Sequence, residues 1–358
     1  MPSLLARFDL RARNTTVARE LRGAVATFLT MAYILFVNPQ ILSSSGMPPN
    51  VAASIGACTA LAAGVCTILM GLASNFPIAL ASGMGLNAVV VGIALKAGSW
   101  KIAMGLIVLD GLVTLLLVAC GLREAIMHAI PKPLRLATGA GIGLFIALIG
   151  LVNAHIVVAT QFPDAPLAPG TWHSPETAVA FIGLLITIVL MARKIPGALV
   201  IGILLTTAIA FPFHVAHWPD QFALPTFSAA FHADVIGALK WSATPPLLFA
   251  VIMVDFFDTI GTATAIAEEA NLIDDQGRIP GIRAILLVDS LSAAVGGMLG
   301  ASSVTCYIDP PLALPKAPAP ACIPSSSDSS FCSRSSLPPS PASSPPPPPR
   351  PPSSLLVS

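Results

Sequence analysis

The chain has 358 residues, 55% of them hydrophobic and only 10% charged, with a formal net charge of +1 and a mean hydropathy of +0.83. A soluble domain carries about 25% charged residues, so this chain cannot solvate an ordinary surface and most of its area must face lipid. No basic cluster with interleaved aromatics occurs, which gives no reason to expect nucleic acid as a partner.

Residues 1–22 carry Arg7, Arg11, Arg13, Arg19 and Arg22 and lack the short apolar core and cleavage site of a signal peptide. A helix needs about 20 apolar residues to cross a bilayer core. Nine segments fit, at about 24–44, 52–73, 77–95, 102–120, 136–153, 177–192, 196–213, 244–267 and 282–300. The arginines before the first span put the N-terminus in the cytoplasm. Arg123, Lys132 and Arg135, then Arg193 and Lys194, then Arg278 and Arg283 fall in loops on that same side. The opposing loops 45–51 and 154–175 hold no Lys or Arg, and 214–243 holds only Lys240; Lys96 and Lys101 depart from the pattern. A multi-pass protein of the inner membrane is expected. Cys58, Cys66, Cys120, Cys306, Cys322 and Cys332 show no metal spacing, and Cys58 and Cys66, inside an apolar run, read as small hydrophobes.

Two of these segments are interrupted. In NFPIALASGMGLNAVVVGIAL, 75–95, Pro77, Gly83 and Gly85 oppose a continuous helix. An extended piece over 76–82, followed by a half-helix from about Gly85, fits better. Such a half-helix aims unpaired N–H groups and a positive dipole end into the protein. Asn87 then stands in its first turn, either offering a donor and an acceptor to a ligand or joining two helices. GMLGASSVTCYID, 297–309, has the same character, a glycine-bearing extended piece after a full helix. Interrupted segments in corresponding positions of two halves point to a transporter's binding site.

In LLFAVIMVDFFDTIGTATAIA, 247–267, Asp255 and Asp258 lie three apart on one helix face near mid-membrane. A carboxylate there costs about 2.5–3.5 kcal/mol, so it normally faces a cavity and has a task. Burial and mutual repulsion suit one of the two to exchange a proton near neutrality; the alternative for either is to bond a neighbouring helix end. His214, His217, Asp220 and His232 read as an interfacial loop, GAGIG at 139–143 as helix packing, and Glu268, Glu269, Asp274 and Asp275 as a solvated face.

Four runs together carry a resemblance: RELRGAVATFLTMAYILFVNPQIL, ASGMGLNA, MVDFFDTIGTATAIAEEANL and GASSVTCYID. In this order, over about residues 20–309, they resemble the AzgA-like purine permeases, the adenine, guanine and hypoxanthine branch of the nucleobase–cation symporters. The resemblance implies an all-α polytopic fold of two inverted seven-span repeats, with short antiparallel strands in the third and tenth spans meeting at the substrate. Here it implies a first repeat over 23–213, a periplasmic loop over 214–243, and the start of a second repeat over 244–309. It also implies that Asn87, Asp258 (with Asp255 beside it) and Asp309 surround the purine, flanked by Ala81, Gly85 and Thr305. Asp258 and Asp255 would couple transport to a proton, or to sodium, with no other cofactor, and a homodimer is compatible with this. The family has a glutamate where this chain has Asp309.

Beyond Asp309 the pattern stops. Residues 310–358 contain 16 prolines and 14 serines in 49 positions and are expected to be disordered. The family motif would continue into a half-helix and four more spans, so the change of composition reads most simply as a frameshift. The chain as it stands is then expected not to transport. Two other functions fit less well. An aspartyl protease needs two carboxyl groups facing each other across a site, whereas these share one helix and no GxGD run exists. A sulfate-type anion transporter shares the architecture but should not place carboxylates at its ligand.

Overall fold

The computed structural model describes residues 16–74, 76, 78–130, 132–159, 167–170, 174–193, 195, 198–216, 225–269, 279 and 281–307. Asp309, the 310–358 segment, His217, Asp220, Asp274 and Asp275 lie outside them. By internal contacts the chain divides into 1–319 and 320–358, and every described residue belongs to the first.

In chain order the elements are α1 (Val17–Met31), α2 (Ile34–Ser43), α3 (Pro49–Ser74), β1 (Leu80–Ser82), α4 (Met84–Ala97), α5 (Trp100–Ala119), α6 (Leu122–Ala129), α7 (Lys132–Asn153), β2 (Val157–Ala159) and β3 (Leu167–Pro169). There follow α8 (Pro175–Ala192), α9 (Ala198–Ala210), α10 (Val235–Lys240), α11 (Thr244–Glu269), α12 (Ile282–Leu299) and β4 (Val304–Cys306). Among the described residues, six helical stretches are long and apolar enough to cross a membrane: Glu20–Ser43, Pro49–Ser74, Trp100–Ala119, Pro175–Ala192, Thr244–Ala267 and Ile282–Leu299. Met84–Ala97, Gly143–Asn153 and Ala198–Ala210 are shorter apolar helices. These fall on the nine expected segments. Phe36, Leu144, Leu204 and Phe249 point outward from their helices, as a lipid-facing surface requires.

Three differences from the sequence reading have local causes. The first span is not continuous but breaks at Ala32 and Tyr33, and its second part carries Pro39, which can neither donate to nor sit comfortably over the preceding turn. The extended piece expected over 76–82 is a strand only from Leu80, and the half-helix begins at Met84. Arg123, counted above as a loop charge, lies in α6 and is completely buried.

The core is built by α12, which packs most extensively on α5 and next on α3. The two backbones meet closely at Gly111, where a Cβ would lie 2.8 Å from the Cα of Ala294. Helix α12 ends at Gly300, whose φ of +73° is the left-handed conformation that favours glycine. There the Ala301 N–H reaches back 2.9 Å to the Gly296 carbonyl. This turn returns the chain into the core as β4, which is wholly buried.

Candidate functional site at the strand crossing

Strands β1 and β4 pair antiparallel with Leu80 opposite Cys306, Ala81 opposite Thr305 and Ser82 opposite Val304. The ladder continues at both ends, where Tyr307 N–H donates to Ala79 O at 3.0 Å and Gly83 N–H to Ser303 O at 3.0 Å. The outer side of β1 is also satisfied. Thr67 of α3 accepts the Leu80 N–H (3.0 Å) and donates to the Leu80 carbonyl (3.2 Å). Backbone that is neither helical nor in a closed sheet is tolerable at this depth only when so paired inside protein.

Asp258, on α11, meets this crossing. Its Oδ2 accepts the Thr305 hydroxyl at 3.3 Å. Gly83, between β1 and α4, leaves the space in front of this pair. A Cβ there would lie 3.1 Å from Thr305 Oγ1 and 3.9 Å from Asp258 Oδ2. At the second residue of α4, Gly85 is covered by Phe145 of α7, whose ring carbons would stand 3.7 Å from a Cβ at that position. The tyrosines Tyr33 and Tyr307 join hydroxyl to hydroxyl beside the end of β4, with ring centroids 6.3 Å apart.

Asn87 is buried completely and its amide is engaged within the protein. Its Nδ2 donates to Asn38 Oδ1 at 2.7 Å, and Ser82 Oγ lies 3.0 Å from its Oδ1. Asn38 in turn donates to Thr59 Oγ1 (2.8 Å) and to the Ala301 carbonyl (3.0 Å), and that carbonyl also accepts from Ser82 Oγ at 2.7 Å. The network ties α2, α3, β1, α4 and the turn before β4 into one polar knot. A fully connected network of this kind specifies one arrangement of buried segments.

Asp255 and Asp258, three residues apart, go to different surroundings. Asp258 faces Thr305, whereas Asp255 Oδ2 accepts from Arg123 Nη2 at 3.2 Å. The same Nη2 lies 3.1 Å from Asp289 Oδ2 and 3.0 Å from Thr259 Oγ1, and Nη1 donates to Ser290 Oγ at 2.6 Å. The other oxygen of Asp289 accepts the N–H of Cys306 in β4 at 3.1 Å. So the crossing brings together Ala81, Gly85, Asn87, Asp258 and Thr305, and Asp255 belongs to an ion-pair cluster behind it. Sequence reasoning missed Asn38, Thr67, Arg123 and Asp289. Asp289, a charge inside an apolar span, carried the signal that marks such residues; Arg123 was hidden by its place next to a loop.

The arrangement can hold a small polar solute. Asp258 and the Thr305 hydroxyl offer acceptors and donors, next to main-chain groups of two interrupted segments.

Comparison with known proteins gives matches along most of the chain. The model of the Permease family (Xan_ur_permease) matches residues 19–310. The adenine permease AdeP of Escherichia coli (strain K12) is 34% identical over 306 residues, covering 84% of this chain and 67% of that protein. The guanine/hypoxanthine permease PbuG of Bacillus subtilis (strain 168) is 36% identical over 317 residues, covering 84% of this chain and 71% of its own. PbuO of the same strain, also a guanine/hypoxanthine permease, is 35% identical over 316 residues, with 84% and 71% covered.

Proposed function

This chain belongs to the Permease family, a transporter and not an enzyme, and from that membership we propose that it carries purine nucleobases across the membrane in symport with protons. The observation that carries the reading is the contact between Asp258 and Thr305, a carboxyl on a continuous helix bonded to a strand that interrupts another segment. A purine presents N–H donors and ring-nitrogen acceptors, and a carboxyl beside a hydroxyl can match both. Relatives named as adenine and guanine/hypoxanthine permeases support the substrate class.

In this reading Asp258 takes the coupled proton and faces the purine, with Ala81, Gly85 and Thr305 around it. Asn87 reaches the purine only by exchanging its Asn38 partner; otherwise it holds the strand crossing in place. Asp255, bound to Arg123, supports the site from behind. The placement of Lys and Arg supports a chain in the inner membrane with its N-terminus in the cytoplasm.

The experiment is uptake of labelled adenine, hypoxanthine and guanine by proteoliposomes holding the 358-residue protein, with a proton gradient, a sodium gradient or neither. Saturable uptake driven by the proton gradient, blocked by unlabelled purines and not by sulfate, is what this reading requires, whereas the frameshift reading of residues 310–358 requires that this chain take up none. Uptake driven by sodium alone would overturn the coupling ion, and uptake of sulfate the substrate class.

A further inference from the structure

Behind β4 the fold buries ionisable groups that the proposed purine site does not use. Arg123, Asp255 and Asp289 form the ion-pair cluster described above, all fully buried. A fourth member is Asp110, midway along α5 and also 0% exposed. Helix α5 packs on α12, α11 and α6, which carry Asp289, Asp255 and Arg123, and these are the charged groups that act on Asp110. The charged residues of α4 and α10, Lys96 and Lys240, stand at the ends of their helices. Neither Asp110 oxygen has a hydrogen-bond partner among the described residues.

The charge balance of the cluster is uneven, with three carboxyl groups and one guanidinium. Arg123 directs Nη1 at Ser290 and Nη2 at Asp255, Thr259 and Asp289, while its Nε has no hydrogen-bond partner among the described residues. Asp289 is further satisfied by Thr259 Oγ1 at 2.7 Å and by the Cys306 N–H. Asp255 and Asp289 can therefore share the one positive charge, and Asp110 is left without a donor. An ionised carboxylate stripped of water and unpaired is far too costly to persist in such surroundings, so the group neutralises instead. The guanidinium already fills the place a cation would take between Asp255 and Asp289, and what Asp110 lacks is a single positive charge on its own oxygens.

We propose that Asp110 binds a proton inside this cluster, making the cluster a second protonation site of the protein beside that of Asp258. In the step one O–H bond forms on an Asp110 oxygen as a proton arrives from water, and it breaks again on release. The strand joins the two sites. Thr305 donates its side-chain hydroxyl to Asp258, and the next residue, Cys306, is held through its main-chain N–H by Asp289. Loss of the Asp110 proton adds a second unbalanced negative charge next to Asp289, and the bond from Asp289 to Cys306 carries that change to the strand whose neighbouring residue touches Asp258.

The link to coupling rests on the proton-symport reading; the proton on Asp110 does not, and its test reads no transport. The purified 358-residue protein at neutral pH is compared with Asp110→Asn, Asp289→Asn and Asp258→Asn by infrared absorption of protonated carboxyl groups and by melting temperature. Asp110→Asn is expected to remove one protonated-carboxyl band that survives in Asp258→Asn. It should also melt at or above the parent temperature, because an amide replaces a neutral group of the same size, whereas Asp289→Asn melts lower. An unchanged band in Asp110→Asn would overturn the proposal, as would a melting temperature lowered as far as in Asp289→Asn or a failure to fold. A band in the parent protein that disappears when sodium replaces choline would also overturn it, since the ligand would then be a metal cation.

Discussion

Thr305 donates its hydroxyl to Asp258 across 3.3 Å and thereby joins β4 to a helix residue 47 positions earlier in the chain. The bond holds one carboxylate oxygen in place and leaves the other available. Thr305→Val keeps the shape and removes the donor. A lost hydrogen bond to a charged group is worth about 1.5–3 kcal/mol, so purine affinity should fall at least about tenfold. Binding titration of the purified protein checks this; unchanged affinity would mean that the pair does not touch the purine.

Asp258→Asn should reduce proton-driven purine uptake to background while leaving membrane insertion and melting temperature intact. The amide keeps the hydrogen bond but cannot gain or lose a proton. Normal coupled uptake in this variant would remove Asp258 from the coupling step.

Asp255→Asn acts differently, because its carboxylate pairs with buried Arg123. Removing one partner of a buried ion pair typically costs about 3–5 kcal/mol; with Asp289 still bound to Arg123, the lower end applies. Thermal denaturation should show a clear loss for Asp255→Asn and none for Asp258→Asn. Equal melting of the two variants would show that the cluster does not stabilise the fold.

Gly83→Ala tests the open space in front of the site. The backbone there is extended with φ −72°, so alanine meets no conformational strain. Its Cβ would instead stand 3.1 Å from Thr305 Oγ1. The added methyl takes up space in front of the Thr305–Asp258 pair, and the expected result is weaker purine binding with little change in melting. A lower melting temperature with normal binding would assign Gly83 to packing alone.

Thr67→Val removes both hydrogen bonds to Leu80 and leaves a buried N–H and a buried carbonyl unpaired. Each orphaned group costs about 1–3 kcal/mol. Hydrogen exchange at the Leu80 amide should accelerate by at least about tenfold; unchanged protection would mean that other groups replace the hydroxyl.

The elements were legible because a membrane chain writes them in local signals. Apolar runs gave the spans, Pro77 with Gly83 and Gly85 gave the interruption, and the shift to Ser, Val and Thr after Gly300 gave the last strand. Asp258 stood out as a charge in lipid. The partnerships were not legible. Arg123 meets Asp255 and Asp289 from 132 and 166 residues away, and hydrophobic period says nothing about which helix lies beside which. For the same reason Asp255 and Asp258 read as one pair: spacing on a helix fixes the face, but the neighbours that split that face come from α6, α12 and β4. Asn38 hid within VNPQIL, where an asparagine before a proline reads as a helix break before it reads as the centre of a polar network.

The pairing of Leu80 with Cys306 also sets a timetable for synthesis. A ribosome adding about 5–20 residues per second finishes β1 some ten to forty-five seconds before its partner strand exists. Throughout that interval the first half of the protein holds a non-helical stretch in the bilayer with its sheet partner unmade. The Thr67 hydroxyl, which takes both main-chain groups of Leu80, and the Asn38–Asn87–Ser82 contacts, which come entirely from the earlier part of the chain, are present from the start. They keep the waiting strand in position until translation delivers the residues that complete it.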